Sequence, residues 1–433
     1  MPARRFLLLP FLALALAAAD PLPLAEAIRR SWSQQAGLKA GAALVEARQA
    51  EARSYQDLTL PTLTFQAYGT RTDEPMMAFG IKLNQARIGM MDFDPRSLNK
   101  PDAIGAFGGG LKLQQPLYAG GRIAAAREAG RLMAGSEQAS QERRKQEVAL
   151  AIVQAYFGAQ VAEQAQRWAA ETLEWAAEME RFVGARVDQG LWLPSELARV
   201  KAFRASAESQ QAEVQRLRQT ARSGLGLLLG TGPVDAPLST AMDSPVAEAP
   251  AAGAGRPDLQ AAALMAQAAG EGRKAARGAL LPEIGLELGA GTLRHSLSEG
   301  GSWTSASLGL KWKLFNQPER RRAQAAAAQE RAAQEMLAFK RQQADHEVRE
   351  AQEGVAAAEA RIAAARKALA AAQDSKQLRE ARHREGLLPL IEVLDAQAAL
   401  EGARTLILQS LYDLRVNRAR LDLAKGQPIE GVL

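Results

Sequence analysis

The chain states one pattern twice, and that doubling restricts its fold more than any other feature. Leu60-Pro61-Thr62-Leu63-Thr64-Phe65 returns as Leu281-Pro282-Glu283-Ile284-Gly285-Leu286. Leu117-Tyr118 ahead of a basic segment returns as Leu314-Phe315, and Gly190-Leu191 with Glu196 returns as Gly386-Leu387 with Glu392. The last two matches are offset by 197 and 196 residues, the first by 221, so a duplication with a 24-residue insertion in the first copy accounts for all three. Each copy reads as strand, strand, long helix, turn, helix. The expected division is a leader over 1–19, a first repeat over 20–230, a Pro/Gly/Ala-rich linker over 231–256 and a second repeat over 257–433. Each repeat is expected to open on a helix before its strand pair.

The strands alternate. In Leu63–Ala67, Leu111–Gln114, Ile284–Leu288 and Leu308–Leu314 the apolar residues share one face and the polar ones the other, the period of strands with one wet side. A soluble antiparallel sheet has the same pattern. Strands of about ten residues, a secretion leader and the interface-type aromatics Tyr118, Trp303, Trp312 and Phe315 favour a membrane barrel instead. The insertion at 72–107 reads as mostly loop and is expected to lie outside the barrel mouth.

The helices speak more clearly. No proline interrupts Pro116 to Pro194 or Pro318 to Pro389, and a helix over 122–189 would be about 100 Å long. Val348, Ala351, Val355, Ala358, Ile362, Ala365, Leu369 and Ala372 repeat at 3-4 spacing. The first copy carries a similar seam from Val148 to Val187, broken by Gln166 and Glu180. A sustained 3.5-residue repeat winds a helix left-handedly around a partner. Gly190 and Gly386 end the two helices, with Pro194 and Pro389 restarting the chain.

Composition removes several classes of function. With no cysteine there is no disulfide, thiolate metal site or Cys nucleophile, and no pair among His295, His346 and His383 stands at ligand spacing. No Gly-rich phosphate loop and no G-x-S-x-G is present, so no enzyme, catalytic residue, cofactor or metal is expected. Arg4 and Arg5, an apolar run over Phe6–Leu16 and Ala17-Ala18-Ala19 form a secretory leader. Its removal leaves 52 basic against 48 acidic side chains, a net of +4, interleaved apart from the run Arg320-Arg321-Arg322, which argues against a nucleic-acid surface.

Four strands cannot close a barrel, and an open sheet edge is not viable in lipid. Three copies supply twelve strands, and their helical hairpins continue the tube. At this point the chain resembles the TolC-like family of outer membrane efflux channels. The likeness rests on the duplication, on the junction Gln115-Pro116-Leu117-Tyr118-Ala119-Gly120-Gly121-Arg122, and on the tips Gly190–Leu197 and Gly386–Asp395. It implies a mainly α protein with membrane β: four strands per protomer in a trimeric 12-stranded barrel, continued by a periplasmic α-helical coiled-coil barrel. It further implies a homotrimer in outer membrane lipid. This would be the passive channel of a tripartite efflux or type I secretion system, docked to a periplasmic adaptor (membrane fusion protein) and an inner membrane pump or ABC exporter. The alternatives are a periplasmic coiled-coil adaptor or a structural protein. An adaptor normally holds one hairpin between β domains rather than two hairpins each preceded by strands. The second junction, Lys313–Pro318, lacks the Gly-Gly of the first, and the first hairpin loop is longer than the family leads one to expect.

Four groups of residues follow. Glu196, Glu392 and Asp395 match acidic tip residues of relatives and form either a negative gate ring or simple helix N-terminal carboxylates, the basic partner in the second tip being replaced by Leu388. Gly190, Leu191, Leu193, Gly386, Leu387 and Leu390 are adaptor-docking candidates, or else staples within the hairpins. Pro116, Gly120 and Gly121 form the strand–helix junction. Lys112, Gln114, Lys311 and Lys313 face the lumen if the apolar face meets lipid, and are otherwise an ordinary solvated strand face.

Overall fold

The computed structural model describes residues 20–244, 255–296 and 300–429. The leader at 1–19 and the 245–254 part of the linker therefore lie outside the described residues. The described chain runs α1 (Leu24–Gln34), α2 (Ala36–Gln56), β1 (Thr62–Thr72), α3 (Pro75–Asn84), α4 (Pro95–Asn99), β2 (Ile104–Ala119), α5 (Arg122–Asp188), α6 (Pro194–Leu229), α7 (Pro257–Gly278), β3 (Glu283–Arg294), β4 (Gly300–Lys311), α8 (Gln317–Arg384) and α9 (Leu390–Lys425). Two helices of 67 and 68 residues dominate. No described helix is long and apolar enough to cross a membrane.

Two compact units are present. The first comprises Met1–Ala42, Gln141–Pro257 and Arg341–Leu433. Its core gathers Leu24 and Ile28 of α1 with Ile152, Val153, Tyr156 and Phe157 of α5, Leu225 and Leu229 of α6, and Ala419 and Leu423 of α9. The seam of α8 is buried where alanine is frequent: Ala351, Ala358, Ile362 and Ala365. Small side chains let helix axes approach closely there. Glu180, which breaks the seam of α5, is ion-paired to Arg204 of α6 at 2.9 Å. Both α6 and α9 end on glycines in the left-handed conformation, Gly230 and Gly426, whose N–H groups return to the last helical turn. The linker begins as a strap. Leu22 pairs with Leu238, and the buried Arg415 donates to the Met242, Ala241 and Ser244 carbonyls and stacks on Phe157.

The second unit comprises Ala43–Ser140 and Asp258–Lys340 and holds one antiparallel sheet in the order β1-β2-β3-β4. The two strand pairs thus join through β2–β3 into a single four-stranded meander. The register places Thr62, Thr64, Gln66, Lys112, Gln114, Glu287, Ser305 and Ser307 on one face, and Leu63, Phe65, Leu111, Leu113, Leu286, Leu288, Leu308 and Leu310 on the other. Two expectations change. The segment read as mostly loop carries α3 and α4, because Glu74 caps the α3 N-terminus by accepting from Met77 N–H and Pro75 opens the helix, while Asp94 and Pro95 repeat the device for α4. Trp303, read as an interface aromatic, lies on the wet face. It is opposite Gly291, and its ring spans Gly110, Gly289 and Gly291; a Cβ would fall 2.8 Å from it on Gly289, 2.9 Å on Gly291 and 3.3 Å on Gly110.

Candidate functional site

The first unit carries both helix-turn tips. In the first, Gly190 takes φ +71° and its N–H and that of Leu191 return to Val187 and Arg186. In the second, Gly386 at φ +77° and Leu387 return to His383 and Arg382 in the same way. Positive φ in a Schellman-type ending is the reason for glycine at both positions. Leu191, Leu193 and Leu387 are 60–69% exposed, without cover among the described residues. Leu390, grouped with them on sequence, is instead 1% exposed. It packs against Met179, Val183, Val200, Val393 and Leu394, joining the second tip to α5 and α6. A turn leucine that meets a neighbouring hairpin of the same chain cannot be told from an exposed one by spacing.

The acidic tip residues take three different settings. Glu392, in the first turn of α9, accepts from Arg379 of α8 at 2.7 Å. Asp395 is exposed one turn further on. Glu196 lies in the first turn of α6, its Oε2 buried without a hydrogen-bond partner. The structure thus supplies the cation that Leu388 does not, from the preceding helix. Next to it, His383 is buried, its Nδ1 2.7 Å from the Leu388 carbonyl and its ring 4.6 Å from that of Trp192. Sequence reasoning missed Arg379 and His383. The repeat itself carried the signal: at the 196-residue offset they correspond to the seam residues Val183 and Val187, so the second copy has exchanged two valines for a guanidinium and an imidazole.

In the second unit the wet face of the sheet carries paired charges. Lys112 bridges to Glu287 at 2.8 Å, Gln114 donates to the same carboxylate, and Lys311 stands opposite Glu283, which is bridged to Arg122 at 3.0 Å. Lys112 is therefore matched by a carboxylate, while the carboxylate opposite Lys311 is taken by Arg122. Lys313 falls outside the sheet, since β4 ends at Lys311 and α8 begins at Gln317. An open hollow of about 660 Å³ lies between Tyr118, Arg122, Glu283, Glu287, Ser307 and Lys311.

The junction into α5 is a close-packed turn. Pro116 adjoins a bulge between Pro116 and Tyr118, and Gly120 and Gly121 take φ +61° and +76°. A Cβ on Gly120 would fall 2.9 Å from Leu281 Cβ and closer still to the Gly278 carbonyl, while one on Gly278 would fall 2.9 Å from Arg122 Cγ and closer still to the Gly120 carbonyl. Gly278, absent from the sequence reading, is thus the second half of this contact.

Comparison with known proteins agrees with this arrangement. The family model described as outer membrane efflux protein matches residues 27–231 and 250–427. The pyoverdine export outer membrane protein OpmQ of Pseudomonas putida is 27% identical over 258 residues, 57% of this chain and 52% of that protein, so the match spans about half the relative's length. The crystal structure of the outer membrane protein VceC of Vibrio cholerae superposes with a TM-score of 0.80 at 19% identity, over 94% of this chain and 96% of that one. The open-state structure of the MtrE outer membrane channel of Neisseria gonorrhoeae gives 0.79 at 21%, over 95% and 90%.

Proposed function

Since the chain belongs to the outer membrane efflux protein family, we propose that it is the passive exit duct of an efflux or export system, formed by three copies in the outer membrane. One observation carries this reading: a four-stranded sheet with one apolar and one polar face, whose outer strands β1 and β4 each have a single partner among the described residues. Unpaired strand edges are not tolerated in hydrocarbon. Twelve strands from three chains pair every edge, turn Phe65, Leu111, Leu308 and Leu310 to lipid, and turn Lys112, Gln114 and Glu287 to the bore. The exposed aromatics Tyr118, Trp312 and Phe315 near the sheet's junction with the helices fit the headgroup level.

The exposed leucines 191, 193 and 387 are the docking surface for a periplasmic adaptor that joins the duct to an inner membrane pump or ABC exporter. Glu392 with Arg379, and Asp395 beside them, hold or line the narrow end. The test is the assembly itself. The mature protein purified in detergent is expected to run as a trimer on gels unless heated and to give discrete conductance steps in planar bilayers. A monomer stable in detergent-free buffer refutes the reading. Cysteines at 191 and 387, unique in a cysteine-free chain, are expected to crosslink to the adaptor, and an absence of adducts returns these leucines to a purely internal role.

A further inference from the structure

The connection between β1 and β2 does not stand away from the sheet. Ala78 and Ile81 of α3 are buried against Ile104 and Ala106 of β2 and Leu293 of β3. Those three residues share the register face of Lys112, Gln114 and Glu287. On β4, Gly301 belongs to the same face, and a methyl group there would collide with the Asn84 carbonyl at the end of α3. Gln85, 2% exposed, donates to the Gly105 carbonyl and accepts from Arg87. Ala86 takes φ +57°, an unfavourable conformation for a residue with a Cβ, as the chain turns out of α3. The remainder is braced by its own contacts: Lys82 to Asp92 at 2.9 Å, Gly89 N–H to Asp92 at 2.8 Å, and Phe79 edge-on to Phe93. The Gly89 N–H and then Lys82 hold the Asp92 carboxyl below its usual range.

We propose that α3 is an inward-folded constriction at the outer mouth of the duct, a sieve that sets the largest cargo able to leave. The proposal rests on the reading that the polar face lines the bore. Residues 72, 104, 294 and 300 mark the same end of the sheet, so α3 covers the polar face of β2, β3 and β4 at the end opposite the junction with the helices. A helix with its side chains is about 10 Å across, and three copies would take that width from the opening three times. The second repeat has no counterpart: only the residues between Arg294 and Gly300 join β3 to β4.

The absence of native cysteine makes accessibility the direct test. Ser307→Cys places a thiol on the polar face six residues inward of Gly301, roughly 20 Å along the strand, and Leu308→Cys places one on the apolar face. Intact cells are treated with a small membrane-impermeant maleimide and with polymer-linked maleimides of increasing mass. With α3 in place, Ser307→Cys is expected to react with the small reagent and not with the large ones. Replacing residues 74–102 by a short Gly/Ser turn, or dislodging the helix with Ile81→Asp, is expected to raise labelling by the large reagents from background to the level of the small one. Trimer migration on unheated gels checks the assembly of each variant, and Ile81→Asp decides if the shortened chain fails to assemble. Unchanged size dependence in an assembled variant overturns the constriction alone. If the small reagent spares Ser307→Cys even in an assembled variant with α3 removed or dislodged, the polar face does not line the bore, and both the constriction and the duct reading fall.

Discussion

Three alanine substitutions at the strand–helix junction separate backbone strain from crowding. Gly121 has φ +76° and no heavy atom within 4 Å of a built Cβ, so Gly121→Ala carries only the left-handed penalty, about 1 kcal/mol. Gly278 has no positive φ but is pressed against the Gly120 carbonyl and Arg122 Cγ, so Gly278→Ala carries only the overpacking cost of a backbone that must move, about 1–3 kcal/mol. Gly120 has both, a φ of +61° and the reciprocal contact, so Gly120→Ala is expected to cost about 2–4 kcal/mol. The assay is the rate at which unheated trimers are lost at a fixed high temperature, read on gels, with chemical denaturation as a second scale. The expected order of damage is Gly120→Ala, then Gly278→Ala, then Gly121→Ala. Gly121→Ala proving the most harmful, or Gly278→Ala behaving as wild type, would refute the contact as described.

Other outcomes follow from the helical unit. Burial pushes the Asp422 carboxyl up to about 6 from an ordinary value of 3.8. Because the fold favours its protonated form, the stabilisation is full below about pH 4 and is lost as pH rises through 6, a change on the order of 3 kcal/mol. Asp422→Asn is therefore expected to match wild type near pH 4 and to be the more stable protein at pH 7.5 by thermal unfolding. Arg379 and Glu392 are both about 40% exposed, so their bond adds less than about 1 kcal/mol to stability. If it holds the tip closed, Arg379→Ala and Glu392→Ala each raise single-channel conductance and the double variant raises it no further, whereas additive gains refute a shared bond. Arg415→Met strands three carbonyls in a buried site and is expected to cost about 2–4 kcal/mol and to speed proteolysis near residue 244.

Much of the architecture is legible in the sequence because long periodic elements leave little choice. A proline-free seam of 3-4 spacing has no alternative to a long packed helix, and α5 ends at Asp188 just ahead of Gly190 as the glycine requires. What is not legible depends on contacts across the chain. Period two puts Trp303 and Lys112 on one face only once the register is known, and the clue is the set of glycines at 110, 289 and 291 that the indole lies against. The segment at 75–84 mixes apolar residues without a clean period, so its helix is announced only by Glu74-Pro75. Lys313 follows the alternation of β4 but falls past its end, where Trp312 turns to donate to the Leu280 carbonyl. Glu392 finds Arg379 thirteen residues back across the turn, a pairing no local spacing rule contains.

The clasp formed by Arg415 has a consequence for the history written into the chain. The guanidinium belongs to the second copy of the pattern and the carbonyls of 241, 242 and 244 to the linker that follows the first, and Leu22 near the start is pinned to Leu238 close by. The join is thus sewn into the folded body rather than strung between two bodies. A gene cut just after Ser244 should yield two polypeptides that find each other and rebuild the protomer, returning a fused tandem to the pair of separate chains from which such doublings arise.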